Sequence, residues 1–330
     1  MSVKKLGLMV MAVSLVVLSG CGLASTPTQP ASPTQVTLAM GYIPNVQFAP
    51  FYVAVNKGYF AEENLEIEFD YGMETDLLNL VGTDALQFAV ASGDQVILAR
   101  SQGLPVVYVM TYFQRFPVAV VSLEDVPLEE PSDLIGRSVG IPGLWGASYI
   151  GWLALLHSSG IGEQEIPLES IGYTQVASLT EGQVEAAVVY AANEPVQLRQ
   201  AGYDPHIIYI ADYMNLVSNG VITNEKTIAQ RPELVDGLVR AVIRGLQYTI
   251  DHPEETFEIC LEYVPEAGGE NRDIQMAVLK ESIKFWESER LGYSDPAAWE
   301  ASQEFMLEVG LVETETDVEA MFSNEFVLEP

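Results

Sequence analysis

The chain has 330 residues, 48% of them hydrophobic, and carries 46 acidic against 15 basic side chains for a net charge of −31 at pH 7. That length exceeds a typical single domain and fits two lobes built around real cores. A surface this negative excludes nucleic acid and anionic lipid as partners and disfavours a highly anionic ligand.

Lys4 and Lys5 open the chain, residues 6–18 are an almost unbroken apolar run, and Leu18-Ser19-Gly20-Cys21 follows. A basic start, an apolar run too short to span comfortably and small residues before a cleavage point read as a secretory signal over residues 1–20. The run is too short for the alternative of an uncleaved membrane helix. Leu-Ser-Gly-Cys resembles a bacterial lipobox, which implies cleavage before Cys21 and lipid on its sulfur. Residues 21–34, rich in Ser, Thr and Pro, have almost nothing large and apolar to bury and read as a flexible tether between lipid and domain. Several acyl chains on one Cys hold a protein durably at a membrane. Cleavage leaves 13 basic against 46 acidic residues, a net charge of about −33. With Cys21 lipidated, Cys260 has no partner within the chain, so no disulfide is expected. In Phe257-Glu258-Ile259-Cys260-Leu261 it reads as a buried helix residue. No later stretch is long and apolar enough to cross a bilayer.

From residue 36 onward, strand and helix patterns alternate. Strands are expected at 36–40, 65–69, 86–91 and 106–110, with helices at 48–56, 77–81 and 95–101 between them. Residues 117–122 are apolar and β-rich. After a Pro- and acid-rich stretch the alternation restarts, with strands at 138–141, 168–171, 186–190 and 207–210 and helices at 149–157, 176–181 and 196–200. Residues 217–223 are β-rich again, and the remainder turns helical at 232–250, 253–262, 272–287 and 296–309. One α/β unit is thus interrupted by a second. The expected fold is α/β: two lobes with mostly parallel sheets flanked by helices, lobe one from 35–118 and 222–330, lobe two from 119–221, and a ligand cleft between them. Lobes joined this way close by a hinge.

Specific residues then carry a resemblance. Gly41-Tyr42-Ile43-Pro44-Asn45-Val46-Gln47-Phe48-Ala49-Pro50-Phe51-Tyr52, followed by Lys57-Gly58-Tyr59-Phe60, resembles the opening of the NMT1/THI5-like family of periplasmic binding proteins. Ser92-Gly93-Asp94-Gln95, Ala99 to Gly103, Gly140-Ile141-Pro142-Gly143, and Val184 to Tyr190 with Asn193-Glu194 match as well. The likeness runs from about residue 36 to residue 250. It implies a two-lobe type II binding-protein fold and a substrate-binding lipoprotein of an ABC importer, outside the cytoplasmic membrane and partnered by a permease and its ATPase. A monomer is expected.

The candidate ligand contacts sit where strands end. Tyr42, Asn45 and Gln47 follow the first strand. The Asn amide suits a heterocyclic edge, or it caps the next helix. Gln47 stands where pyrimidine binders of the family often carry histidine. Asp94 is a contact or a helix cap. Tyr112 ends the last strand of lobe one, and Arg115 beyond it either clamps a polar ligand tail or, the reading preferred, braces an acid across the hinge. Trp145, flanked by glycines in a loop, is better explained as a flat wall than as core. Tyr149 is wall or core, and Trp152, at helical spacing from it, is core. Tyr190, Asn193 and Glu194 end a strand and start a helix, and the resemblance implies ligand contacts at the Asn-Glu pair. The glycines near Trp145 are no nucleotide loop, because no Gly-Lys-Ser/Thr follows.

The fungal pyrimidine synthases of this fold depend on histidine and a cysteine-rich iron segment. Here His157, His206 and His252 fall outside the matching stretches, and no metal-ligand spacing, nucleophile elbow or triad appears. Binding without catalysis, and without cofactor or metal, is expected. The strand-end aromatics suggest a flat, neutral heteroaromatic vitamin, with riboflavin first, the thiamine pyrimidine precursor second, and sulfonate or nitrate third.

Overall fold

A computed structural model describes residues 32–327. The signal read in residues 1–20, the lipidation site at Cys21 and most of the tether lie outside the described residues. Thr34, the last residue read as tether, is the first residue of β1 (Thr34–Met40). Chain order then runs α1 (Ala49–Asn56), α2 (Tyr59–Glu62), β2 (Leu65–Tyr71), α3 (Glu74–Gly82), β3 (Phe88–Ser92), α4 (Gly93–Ser101) and β4 (Val106–Thr111). Next come β5 (Val118–Ser122), β6 (Val139–Ile141), α5 (Gly146–Ser159), β7 (Leu168–Ser170), α6 (Gln175–Thr180), β8 (Ala186–Tyr190), α7 (Glu194–Gln200), β9 (His206–Tyr209) and β10 (Asn219–Asn224). The helical tail comprises α8 (Glu225–Gln230), α9 (Pro232–Asp251), α10 (Pro253–Tyr263), α11 (Arg272–Trp286) and α12 (Pro296–Glu308).

The strands form two five-stranded sheets, ordered β2-β1-β3-β10-β4 and β7-β6-β8-β5-β9. In each, four strands run one way and a single strand is reversed: β10 is antiparallel to β3 and β4, and β5 to β8 and β9. The reversed strands are those that follow the passages from one sheet to the other, so each sheet is mixed and still mostly parallel. Both faces are covered. Along β5, Ala119 and Val121 join one core cluster while Val118 and Val120 join the other. A strand buried on both sides needs apolar residues at every position rather than at alternate ones, and Val118-Ala119-Val120-Val121 and Ala186-Ala187-Val188-Val189 supply them.

Helix α9 shows why the tail is helical. Leu234, Val235, Leu238, Val239, Val242 and Leu246 recur at the three-to-four spacing of one helix face and are buried. Pro232 opens it, where a missing N–H costs nothing. His252, preceding Pro253, closes it, because a residue before proline leaves the helical region. The approach of α9 to α1 is backbone-close at Gly245, where a Cβ would lie 2.1 Å from the Pro50 carbonyl oxygen. Gly245→Ala is therefore expected to cost about 3 kcal/mol and to lower Tm by roughly 5 °C or more. A thermal melt within a degree of the parent would show that the pair of helices separates freely.

Cys260 is fully buried in α10, and burial pushes its thiol up to about 12, as befits a core residue. No helix among the described residues is long and apolar enough to cross a membrane.

Candidate functional site

Loops leaving the carboxyl ends of the parallel strands of both sheets converge on one cavity of about 490 Å³. This is where open α/β sheets place ligands, and the volume falls in the range of about 300–1,000 Å³ usual for small-molecule sites. Eight of the nine residues singled out in the sequence border it: Tyr42, Asn45, Gln47, Tyr112, Trp145, Tyr190, Asn193 and Glu194. The ninth, Tyr149, does not. It lies a turn into α5 and borders a separate cavity of about 220 Å³ with Thr75, Gln95 and Leu144. The helical twist carries it past the strand-end edge that Trp145 faces. Trp152 is core, as its spacing implied.

The walls are aromatic. Tyr173 stands between Tyr42 and Trp145, with ring centroids 5.3 Å and 6.1 Å away and edge-to-face geometry to both. Trp145 and Tyr173 keep 44% and 55% of their surface open, which is unusual for such large side chains outside a binding surface. Behind them, Tyr112 is buried against Phe51, Phe113 and Trp286.

The polar groups are fixed. Asn45 does cap, its Oδ1 accepting from the Gln47 amide at 2.9 Å, and it lines the cavity too. The Gln47 Nε2 and Asn219 Oδ1 atoms are buried at the cavity wall without partners. A buried amide left unpaired costs about 1–3 kcal/mol, so such groups in a cavity wall point to a ligand that pairs them. At the start of α7, the Glu194 carboxylate accepts from the Tyr190 amide at 2.9 Å and from Asn193 Nδ2 at 3.0 Å. Burial pushes Glu194 up to about 7 against these hydrogen bonds. Burial, then Glu194 and Tyr173, pushes the Tyr42 phenol up to about 12.

Among the cavity residues that escaped the sequence reading are Tyr173, Asn219 and Glu74, with Asp76 one position beyond Thr75. Tyr173 follows Gly172, whose φ of +62° turns the chain out of β7 and exposes the ring. Asn219 opens the reversed strand β10. Glu74 opens α3, three residues ahead of the apolar run that marked the helix. Its carboxylate accepts from the Ser92 amide at 3.1 Å and the Ser92 hydroxyl at 2.9 Å. Burial first, and then the nearby charge of Asp94, pushes it up to about 8. A strand-end glycine followed by an aromatic, and a carboxylate in the turn after a strand, were the available signals.

Asp94 is not a helix cap. Ser92 occupies that position, and Asp94 sits buried in the first turn of α4, taking a 2.7 Å hydrogen bond from Gln95 Nε2. Arg115 is outside the cavity. It pairs with Asp212 at 2.6 Å and lies over the Tyr209 ring at 4.7 Å, tying the passage after β4 to the end of β9. His157, His206 and His252 do not line the cavity.

Two mixed sheets with strand ends opposed across a cleft define the fold of the type II periplasmic substrate-binding proteins. The aliphatic sulphonate binding protein SsuA from Escherichia coli has this fold, with a TM-score of 0.72 over 91% of this chain and 95% of that one at 12% identity. The family model described as NMT1/THI5 like matches residues 45–256, and the chain belongs to that family. It is 44% identical to the riboflavin-binding protein RibY of Chloroflexus aurantiacus over 98% of both chains. It is also 29% identical to the formylaminopyrimidine-binding protein of Halalkalibacterium halodurans, over 74% of this chain and 76% of that one.

Proposed function

We propose that the protein is the substrate-binding lipoprotein of an ABC importer, held outside the cytoplasmic membrane by lipid on Cys21, and that it captures riboflavin and delivers it to a permease driven by a separate ATPase. The observation that carries the ligand assignment is the likeness to the riboflavin-binding relative over 98% of both chains. The cavity chemistry agrees. A tricyclic isoalloxazine suits the Tyr42, Tyr173 and Trp145 walls. Its imide edge, with carbonyl acceptors flanking an N–H donor, complements the unpaired Gln47 Nε2 and Asn219 Oδ1. Hydroxyls of the ribityl chain suit carboxyl groups such as Glu194. Closure of the two lobes, 35–118 with 222–330 against 119–221, encloses the ligand. In this reading the protein binds and does not transform its ligand.

A second reading, a thiamine-type pyrimidine as ligand, is favoured by the formylaminopyrimidine-binding relative. One experiment separates them. The full chain in detergent, unfolded and refolded to strip bound ligand, is titrated against riboflavin with flavin fluorescence as the signal. Strong quenching at sub-micromolar protein, unaffected by hydroxymethylpyrimidine, is expected. No quenching, with a pyrimidine-induced rise in Tm, would move the protein to the second reading.

A further inference from the structure

Among the described residues, the cavity is lined by three carboxylates, Glu74, Asp76 and Glu194, and by no Lys, Arg or His. Asp94 lies just behind, fully enclosed, with its Oδ1 unpartnered. Among the described residues none of these four acids forms an ion pair with a cationic side chain. Arg115, the one strong anion partner that the sequence offered near the cleft, is spent on Asp212 outside it.

We propose that the cleft sorts its ligand by charge, admitting the free, uncharged form and rejecting the phosphorylated form, with Glu74 as the residue that sets the discrimination. Glu74 is held where it cannot turn aside. Ser92 grips its carboxylate through both the amide and the hydroxyl. Its Cγ packs where Gly41 leaves room, 2.7 Å from the position a Cβ would take. The groups facing it are Asp94 from α4, Tyr112 beyond β4, and Tyr173 and Tyr190 from the second sheet, all neutral or acidic. An incoming phosphate meets no cation, and low-dielectric walls leave the repulsion from the carboxylates unscreened. The amino ends of α3, α5, α6 and α7 reach the cavity, where helix dipoles favour an anion. Those of α3 and α7 already carry the protein's own carboxylates, Glu74 and Glu194, and those of α5 and α6 compete with these acids. Burial, joined for Glu74 by the nearby charge of Asp94, already raises the pKa of both acids above the ordinary carboxylate range. A bound phosphate demands further proton uptake, so its penalty grows as pH rises.

The inference rests on the small-molecule-binding reading above, and within it on the cavity lining rather than on the identity of the vitamin. Riboflavin and riboflavin 5′-phosphate are titrated against the stripped full chain at pH 8.5 and pH 5.5. At pH 8.5 the free vitamin is expected to bind at least 100-fold more tightly, and the ratio narrows at pH 5.5. The phosphate itself gains its second charge near pH 6, so Glu74→Gln is compared with the parent at each pH. The variant is expected to reduce the pH 8.5 ratio at least tenfold, with a cooperative melt showing that it is folded. Equal binding of the two flavins, or a ratio unmoved by Glu74→Gln in folded protein, overturns the inference. If neither flavin binds and hydroxymethylpyrimidine does, the riboflavin reading fails on its own, and hydroxymethylpyrimidine against its phosphate supplies the same ratio. A phosphorylated ligand bound as well as its free form in that pair overturns the charge rule.

Discussion

Trp145→Ala is expected to weaken flavin binding by about 1–3 kcal/mol, a roughly 5- to 150-fold rise in Kd, while leaving the fold intact. The indole is 44% exposed, and the adjacent ring of Tyr173 is more exposed still, so neither ring contributes much to folding. What they contribute is a stacking surface that a bound ligand completes. The sequence around Trp145 makes a finer version of the test possible. A Cβ on Gly143 would sit 2.2 Å from the indole Nε1, so Gly143→Ala removes no aromatic atom and yet displaces the ring. An intermediate loss of affinity is expected from it. Fluorescence titration measures both variants. If Trp145→Ala binds riboflavin as tightly as the parent, the wall assignment is wrong, and the ligand is held elsewhere.

The ligand-free protein is expected to lose stability as pH rises from about 5 to about 8.5, by on the order of a few kcal/mol. An unfolded Glu gives up its proton near 4.5, whereas folded Glu194 and Glu74 hold theirs to about 7 and about 8 because burial disfavours the charged form. Between those limits the folded chain binds more protons than the unfolded one. Their contribution is therefore fully present below about 4.5 and is lost as pH passes through the folded values. Exposed acids with lowered pKa, such as Asp84 beside Lys226 and Glu255 beside Lys57, act in the opposite sense but below this window. Thermal melts of parent, Glu74→Gln and Glu194→Gln across the window check the expectation. Each variant should flatten the slope, and a parent whose Tm climbs steadily from pH 5 to 8.5 would refute it.

The positions that the sequence reading found and missed differ for a physical reason. Apolar periodicity located the body of every helix except the short α2 and α8, but it placed α3 from residue 77 and α5 from residue 149, whereas they begin at Glu74 and Gly146. The omitted first turns are the ones that face the cavity. A helix turn that meets a ligand is polar or small and carries no apolar period to read. Tyr42, Asn45, Gln47, Trp145, Tyr190, Asn193 and Glu194 were legible because they cluster in short motifs at strand ends. Tyr173 sits in a loop outside any such motif, Glu74 opens a helix turn with no apolar period, and Asn219 comes from a strand that enters the cavity edge in reverse.

The order of strands and helices, burial on both faces of the central strands, the helical tail and most of the strand-end side chains were determined by local residue pattern alone, since that pattern follows from which faces must leave water. The tertiary structure alone decided that β5 and β10 run against their sheets, that the acid braced by Arg115 is Asp212, that Tyr149 turns to a second cavity, and that Glu74, Asp76 and Glu194 line one cavity with no cation among the described residues. Each of these depends on groups tens to more than a hundred residues apart meeting in space. The charge balance of a cavity is a property of that meeting and of no single segment.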